Sequence, residues 1–143
     1  MIYQRILSTK QNMQEKQLFE YAVIRIVPCV EREEFLNVGV IVYCAAENFL
    51  QTKYSLNKER LLAFAPEINI AEVEERLHAF VQITNAAKDG GPIAALPIAS
   101  RFRWLTATKS TMLQTSHVHP GLCTNAAETL LKLFEQLVIK QSK

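Results

Sequence analysis

A chain of 143 residues is the size of one ordinary domain. Its 49% hydrophobic and 21% charged residues, with only four glycines and five prolines, exclude disordered, collagen-like and linker classes. Sixteen basic against fourteen acidic side chains leave a net charge of +2, too small for a general nucleic-acid coat or a polybasic membrane anchor.

Residues 1–18 read as an N-terminal extension without a continuous apolar stretch, and residues 19–143 as a single domain. No segment approaches the roughly 18 apolar residues of a membrane span, so no membrane association is expected and the cytoplasm is the expected location. Residues 19–28, FEYAVIRIVP, are dense in β-branched and aromatic side chains and end at Pro28, which predicts a strand. A charged link, VEREEF, leads to a second strand, NVGVIVYCAA, and the residues AEN predict a tight turn into a third, FLQTKYSL.

Helical signals follow. Asn57 is placed to cap a short helix that Pro66 limits, with Leu56 and Leu61 at staple positions. Asn69, with Glu72 three residues on, starts an amphipathic helix of roughly five turns whose apolar stripe is Ile70, Val73, Leu77, Phe80, Val81 and Ala87. Residues 88–97, KDGGPIAALP, read as a flexible loop. A helical turn over residues 101–105 and a strand over residues 111–118 come next, with Pro120-Gly121 as a turn. Asn125 and Glu128 open a last helix with Leu130, Leu131, Phe134, Leu137 and Val138 on its apolar face. Early strands, later helices and a returning strand predict an α+β fold: two layers, a largely antiparallel sheet of about four strands, and helices on one face.

Cys29, Cys44 and Cys123 form neither a C-x-x-C pair nor a disulfide framework, so reduced thiols without an assigned role are expected. Phosphate-loop, dinucleotide, nucleophile-elbow and zincin strings are all missing, which leaves the question of an enzyme open without naming a reaction. His117 and His119 offer an H-x-H pair with no third ligand at a telling spacing, and neither a metal nor a cofactor is expected. Arg25 stands mid-strand among apolar residues, where a guanidinium needs a carboxylate or carbonyl cluster. Glu34 in the charged link is its expected partner. Asn37 and Gly39 begin the next strand, and a glycine there admits close approach of a ligand or another backbone. A second polar block holds Arg101, Arg103, Lys109, Ser110, Thr111, Gln114, Ser116, His117 and His119, donors suited to an anion. Trp104 beside two arginines reads as a core anchor flanked by salt bridges, and the basic strip is too short to argue for nucleic acid.

Residues 21–43 carry Arg25, Val27, Pro28, Arg32, Glu34, Phe35, Asn37, Val38, Gly39 and Val40; residues 101–122 carry Arg101, Phe102, Trp104, Leu105, Ser110, Thr111, Gln114, His119 and Gly121. In these two blocks, and with the last helix over most of residues 21–138, the chain resembles the uncharacterised bacterial family known as domain of unknown function 3037. The resemblance implies no reaction. Members are often encoded beside a kinase-like protein of the HipA type, so it implies a protein partner of that kind. The leading expectation is therefore a non-catalytic binding or regulatory module that acts with a protein partner. The alternative is a small enzyme or an anion- or nucleotide-binding protein whose cleft gathers Arg25, Glu34, Asn37, Arg101, Ser110, Gln114 and His119, with a small anion as ligand.

Overall fold

A computed structural model describes residues 16–140, so the extension expected over residues 1–18 lies almost wholly outside the described residues. The strands are β1 (Gln17–Ile26), β2 (Leu36–Cys44), β3 (Phe49–Tyr54), β4 (Leu113–Thr115) and β5 (His119–Cys123). The helices are α1 (Lys58–Phe64), α2 (Ile70–Thr84), α3 (Gly91–Ala94), α4 (Ile98–Thr106) and α5 (Ala126–Phe134), the last continued by a π-helical turn over Glu135–Ile139. No helix among the described residues is long and apolar enough to cross a membrane.

The sheet is antiparallel throughout and runs β3-β2-β1-β4, with β5 also paired to β1. Strand β1 is thus central. Its C-terminal half pairs β4, Arg25 opposite Gln114, and its N-terminal half pairs β5, Tyr21 opposite His119. Of the strand expected over residues 111–118 only β4 forms; a second short strand, β5, follows it, and Pro120-Gly121, expected as a turn, lies inside β5. An edge strand tolerates the proline because it lacks only an outward donor. Gly121 is required by a side chain: a Cβ there would sit 2.6 Å from the Phe19 ring.

The α+β antiparallel architecture expected from the sequence is the one observed, but its layers are more numerous. Ala22, Ile24, Ile26, Ile41 and Tyr43 project from one face into a core with Leu61, Val73, Leu77, Phe80, Ala94, Phe102 and Leu105 of the first four helices. Phe19, Val40, Val42 and Cys44 project from the other face onto Ala126, Leu130 and Phe134 of α5 and onto Val138. Helices therefore cover both faces. That explains why β2 reads as a continuous apolar run rather than an alternating one, since every residue from Val38 to Cys44 is buried. Side chains such as Ile24 and Ile41, fully buried, each contribute about 1.5–3 kcal/mol relative to exposure.

Three helix starts follow the expected caps: Asn57, Asn69 and Asn125 each accept a hydrogen bond from the backbone N–H three residues on, at 3.0, 3.1 and 3.0 Å. Glu72 turns its carboxylate to Arg76 instead of back to Asn69, so only half of a capping box forms. Residues 88–97 are not simply a loop, because α3 forms within them and buries Ala94. The β2–β3 turn is as expected, with Asn48 at a left-handed φ of 50° and its N–H bonded to the Ala45 carbonyl.

Between β4 and β5 the ladder is carried by one buried hydroxyl. The Val23 N–H donates to Ser116 Oγ at 2.8 Å, Ser116 Oγ donates to the His117 carbonyl at 2.9 Å, and the Ser116 N–H donates to the Val23 carbonyl at 2.8 Å. Removing the hydroxyl strands a buried N–H in the central strand. We expect Ser116→Ala to cost about 1–3 kcal/mol in chemical denaturation, with faster hydrogen exchange at the Val23 amide. Unchanged stability and protection would show that Ser116 does not hold the strand.

Candidate functional site

The strand break at Ser116 opens a depression of about 220 Å³ lined by Arg25, Thr106, Thr108, Lys109 and Gln114–Val118. Strand β1 supplies Arg25, the last residue of α4 supplies Thr106, the turn after it supplies Thr108 and Lys109, and β4 with the following link supplies the rest. No carboxylate among the described residues lines it. Arg25 is half-buried, its guanidinium carbon lies 3.9 Å from the centre of the Phe35 ring, and its buried Nε has no hydrogen-bond partner among the described residues. Burial pushes its pKa down. Lys109 is also shifted down by burial, yet its ammonium is satisfied by the Trp104 carbonyl at 2.7 Å and by weaker contacts to the Leu105 and Ala107 carbonyls. It closes the C-terminus of α4, where a cation is favoured.

The structure unites Arg25 and Gln114 and places the other five candidates elsewhere. Glu34 pairs with Arg32 at 2.5 Å, both largely exposed, so the expected Arg25–Glu34 brace is absent and Arg25 rests on Phe35 instead. The reason is position: Glu34 follows the turn around Glu33, which has a left-handed φ of 59°, and stays with its near neighbour. Asn37 projects toward the C-terminal helix and its Nδ2 donates to the Leu137 carbonyl at 3.2 Å. Arg101 grips the end of α2 and the turn after α3, with Nη1 to the Ile83 and Thr84 carbonyls at 3.2 and 2.6 Å and Nε to the Leu96 carbonyl at 3.0 Å. Ser110 is exposed in the α4–β4 link. His119 lies against Tyr21, ring centres 5.2 Å apart, across the β1–β5 pair.

At Gly39, where close approach of a ligand or another backbone was expected, it is the neighbouring strand that approaches: a Cβ there would stand 2.8 Å from the Lys53 carbonyl and the Tyr54 Cβ. The core anchor of the second block is Phe102, fully buried, whereas Trp104 is 42% exposed under the Lys109 ammonium. Arg103 is engaged by Glu20 through two bonds of 3.1 and 3.0 Å. Arg101 and Arg103, the basic residues beside Trp104, are thus both committed to groups of the protein itself. Thr106 and Thr108 were not among the seven candidates, although both lie in the polar stretch before β4; a Thr-x-Thr across a helix end is the signal they offered.

A large open groove of about 670 Å³ runs beside Pro28, Cys29, Arg32, Glu34 and residues 64–68. It holds the Arg32–Glu34 pair and no convergent set of catalytic groups. Since Arg101 serves carbonyls that end a helix, we expect Arg101→Met to lower stability by about 1–3 kcal/mol. Arg25→Met, which leaves no buried carboxylate behind, should change it by less than about 1 kcal/mol. Equilibrium denaturation of the two variants checks the contrast, and equal losses would contradict it.

A family model described as "Protein of unknown function (DUF3037)" matches residues 21–138. No curated protein and no solved structure matches the chain.

Proposed function

The chain belongs to the DUF3037 family, and we propose that it is a non-catalytic binding module that docks on a protein partner, with a HipA-like kinase as the first candidate. The observation that carries this reading is an apolar surface at the β5 end of the sheet. Leu18 and Leu122 are cross-strand partners, 59% and 67% exposed. Beside them a shallow depression of about 230 Å³ is lined by Leu18, Phe19, Glu20, Tyr43, Ala45 and Ala46. Paired leucines in solvent on a sheet face forfeit burial that a partner can supply. The scattering of the polar candidates into caps and braces supports the same reading, since an acid–base or nucleophilic site needs its groups within hydrogen-bond reach.

A complex should form in co-purification with the kinase, and Leu122→Glu or Leu18→Glu should weaken it at least about tenfold, because each buries a charge at a desolvated contact. Both positions are exposed, so circular dichroism should stay unchanged. No complex, or equal affinity of a doubly substituted chain, would overturn the reading.

A second reading is favoured by the Arg25 depression: a cation whose Nε has no partner among the described residues, beside hydroxyls and an amide and with no carboxylate among those residues, suits a small anion. Inorganic phosphate or a small carboxylate should then raise the melting temperature of the wild type and not of Arg25→Met. Equal shifts in both, or none in the wild type, would exclude it.

A further inference from the structure

We propose that Cys44, Cys123 and Glu47 form a binding site for a thiophilic divalent cation of the zinc class. The three come from separate segments: Cys44 ends β2, Glu47 sits in the β2–β3 turn, and Cys123 ends β5 just before α5. Their two sulfurs and a carboxylate oxygen all lie within 4.8 Å of one another. A tetrahedral ion with sulfur bonds of about 2.3 Å holds its ligands about 3.5–3.8 Å apart. Closure therefore asks for a contraction of about 1 Å, within reach of thiol rotation and of an exposed glutamate on a turn. Water would complete the coordination.

Several features orient the set. The Ala126 N–H, first in α5, donates to Glu47 Oε2 at 2.8 Å, and the Gln17 side-chain amide donates to the same oxygen. These bonds hold the carboxylate in place, as outer hydrogen bonds commonly do for metal ligands. Two thiolates, a carboxylate and a dication sum to one negative charge, which the N-terminus of α5 favours. Cys123 lines a depression of about 360 Å³ with Lys16, Asn125, Thr129 and Lys132, which gives an ion access from solvent. Burial is the main cause that pushes the Cys44 thiol pKa up.

A disulfide is the competing use of two adjacent thiols. Strands β2 and β5 flank β1 on opposite sides, with Cys123 opposite Gln17 and Cys44 one residue past the Tyr43–Glu20 pair, so the two Cα atoms are separated by about two strand spacings across the sheet, roughly 9–10 Å, and by an offset along it. Disulfides need Cα atoms within about 7 Å. An ion bridges the sulfurs without that approach, which is why the geometry favours coordination.

The test uses the full reduced chain. Cobalt(II) titration of Cys29→Ser, which removes the exposed third thiol, should give a sulfur-to-cobalt charge-transfer band saturating at one ion per chain and abolished by zinc. Adding Cys123→Ser should weaken binding at least about 100-fold and Glu47→Gln about tenfold. Glutamine can still accept from the Ala126 N–H, so that variant should keep its fold. In the wild type, zinc should slow iodoacetamide modification of Cys123 and leave Cys29 reacting as before. No charge-transfer band in the folded chain, wild-type affinity in both variants, or unchanged Cys123 reactivity would each overturn the proposal.

Discussion

Strand β1 shares backbone hydrogen bonds with β2 along one edge and with β4 and then β5 along the other, and the molecule is built around that double use. A strand used on both edges and covered on both faces has no solvent to satisfy its polar groups, so each break in its partners must be repaired locally. Ser116 makes the repair where β4 gives way to β5. The same break leaves the depression beside Arg25. A device that preserves the sheet thus also creates the most anion-suited concavity among the described residues.

The charges follow a related rule. Arg101 and Lys109 end helices by taking their carbonyls, and Arg103 and Arg32 take carboxylates. Arg25 alone among these has an aromatic face where a partner would stand. A guanidinium stacked on Phe35 is stabilised without being neutralised, and its field stays available to a ligand. At the far end of β1, eight residues and about 26 Å away, the thiols of Cys44 and Cys123 meet Glu47. The two polar sites are separate, and the leucine surface that suits a protein partner borders the thiol end, so docking and anion binding can be tested independently.

Much of the fold was legible along the chain because its signals are local. Asn57, Asn69 and Asn125 announce helix starts, since a side-chain oxygen three residues from an orphan N–H is a short-range geometry. The valine-rich runs announce β1 and β2. The two faces were not legible: β2 is apolar on both sides, so its pattern does not say how many helical layers cover it. Nor was the split strand, because a three-residue β4 is too short to show a period, and Pro120-Gly121 reads as a turn unless Phe19 is known to lie beneath. The polar blocks were found as residues and not as a site. Only Arg25 and Gln114 of the expected seven share the depression.

What the sequence by itself determined, then, is the α+β composition, the helix caps, the hairpin turn and membership of the DUF3037 family. Those depend on neighbours within a few residues or on a pattern along the chain. Which side chain Arg25 rests on, which carbonyls Arg101 serves and which thiols meet were decided by tertiary structure alone. Cys44 and Cys123 are 79 positions apart (123 − 44), and no spacing rule joins them. They converge because β2 and β5 pair with the same strand and α5 draws the cysteine-bearing face into one core, a consequence of packing that only the folded chain contains.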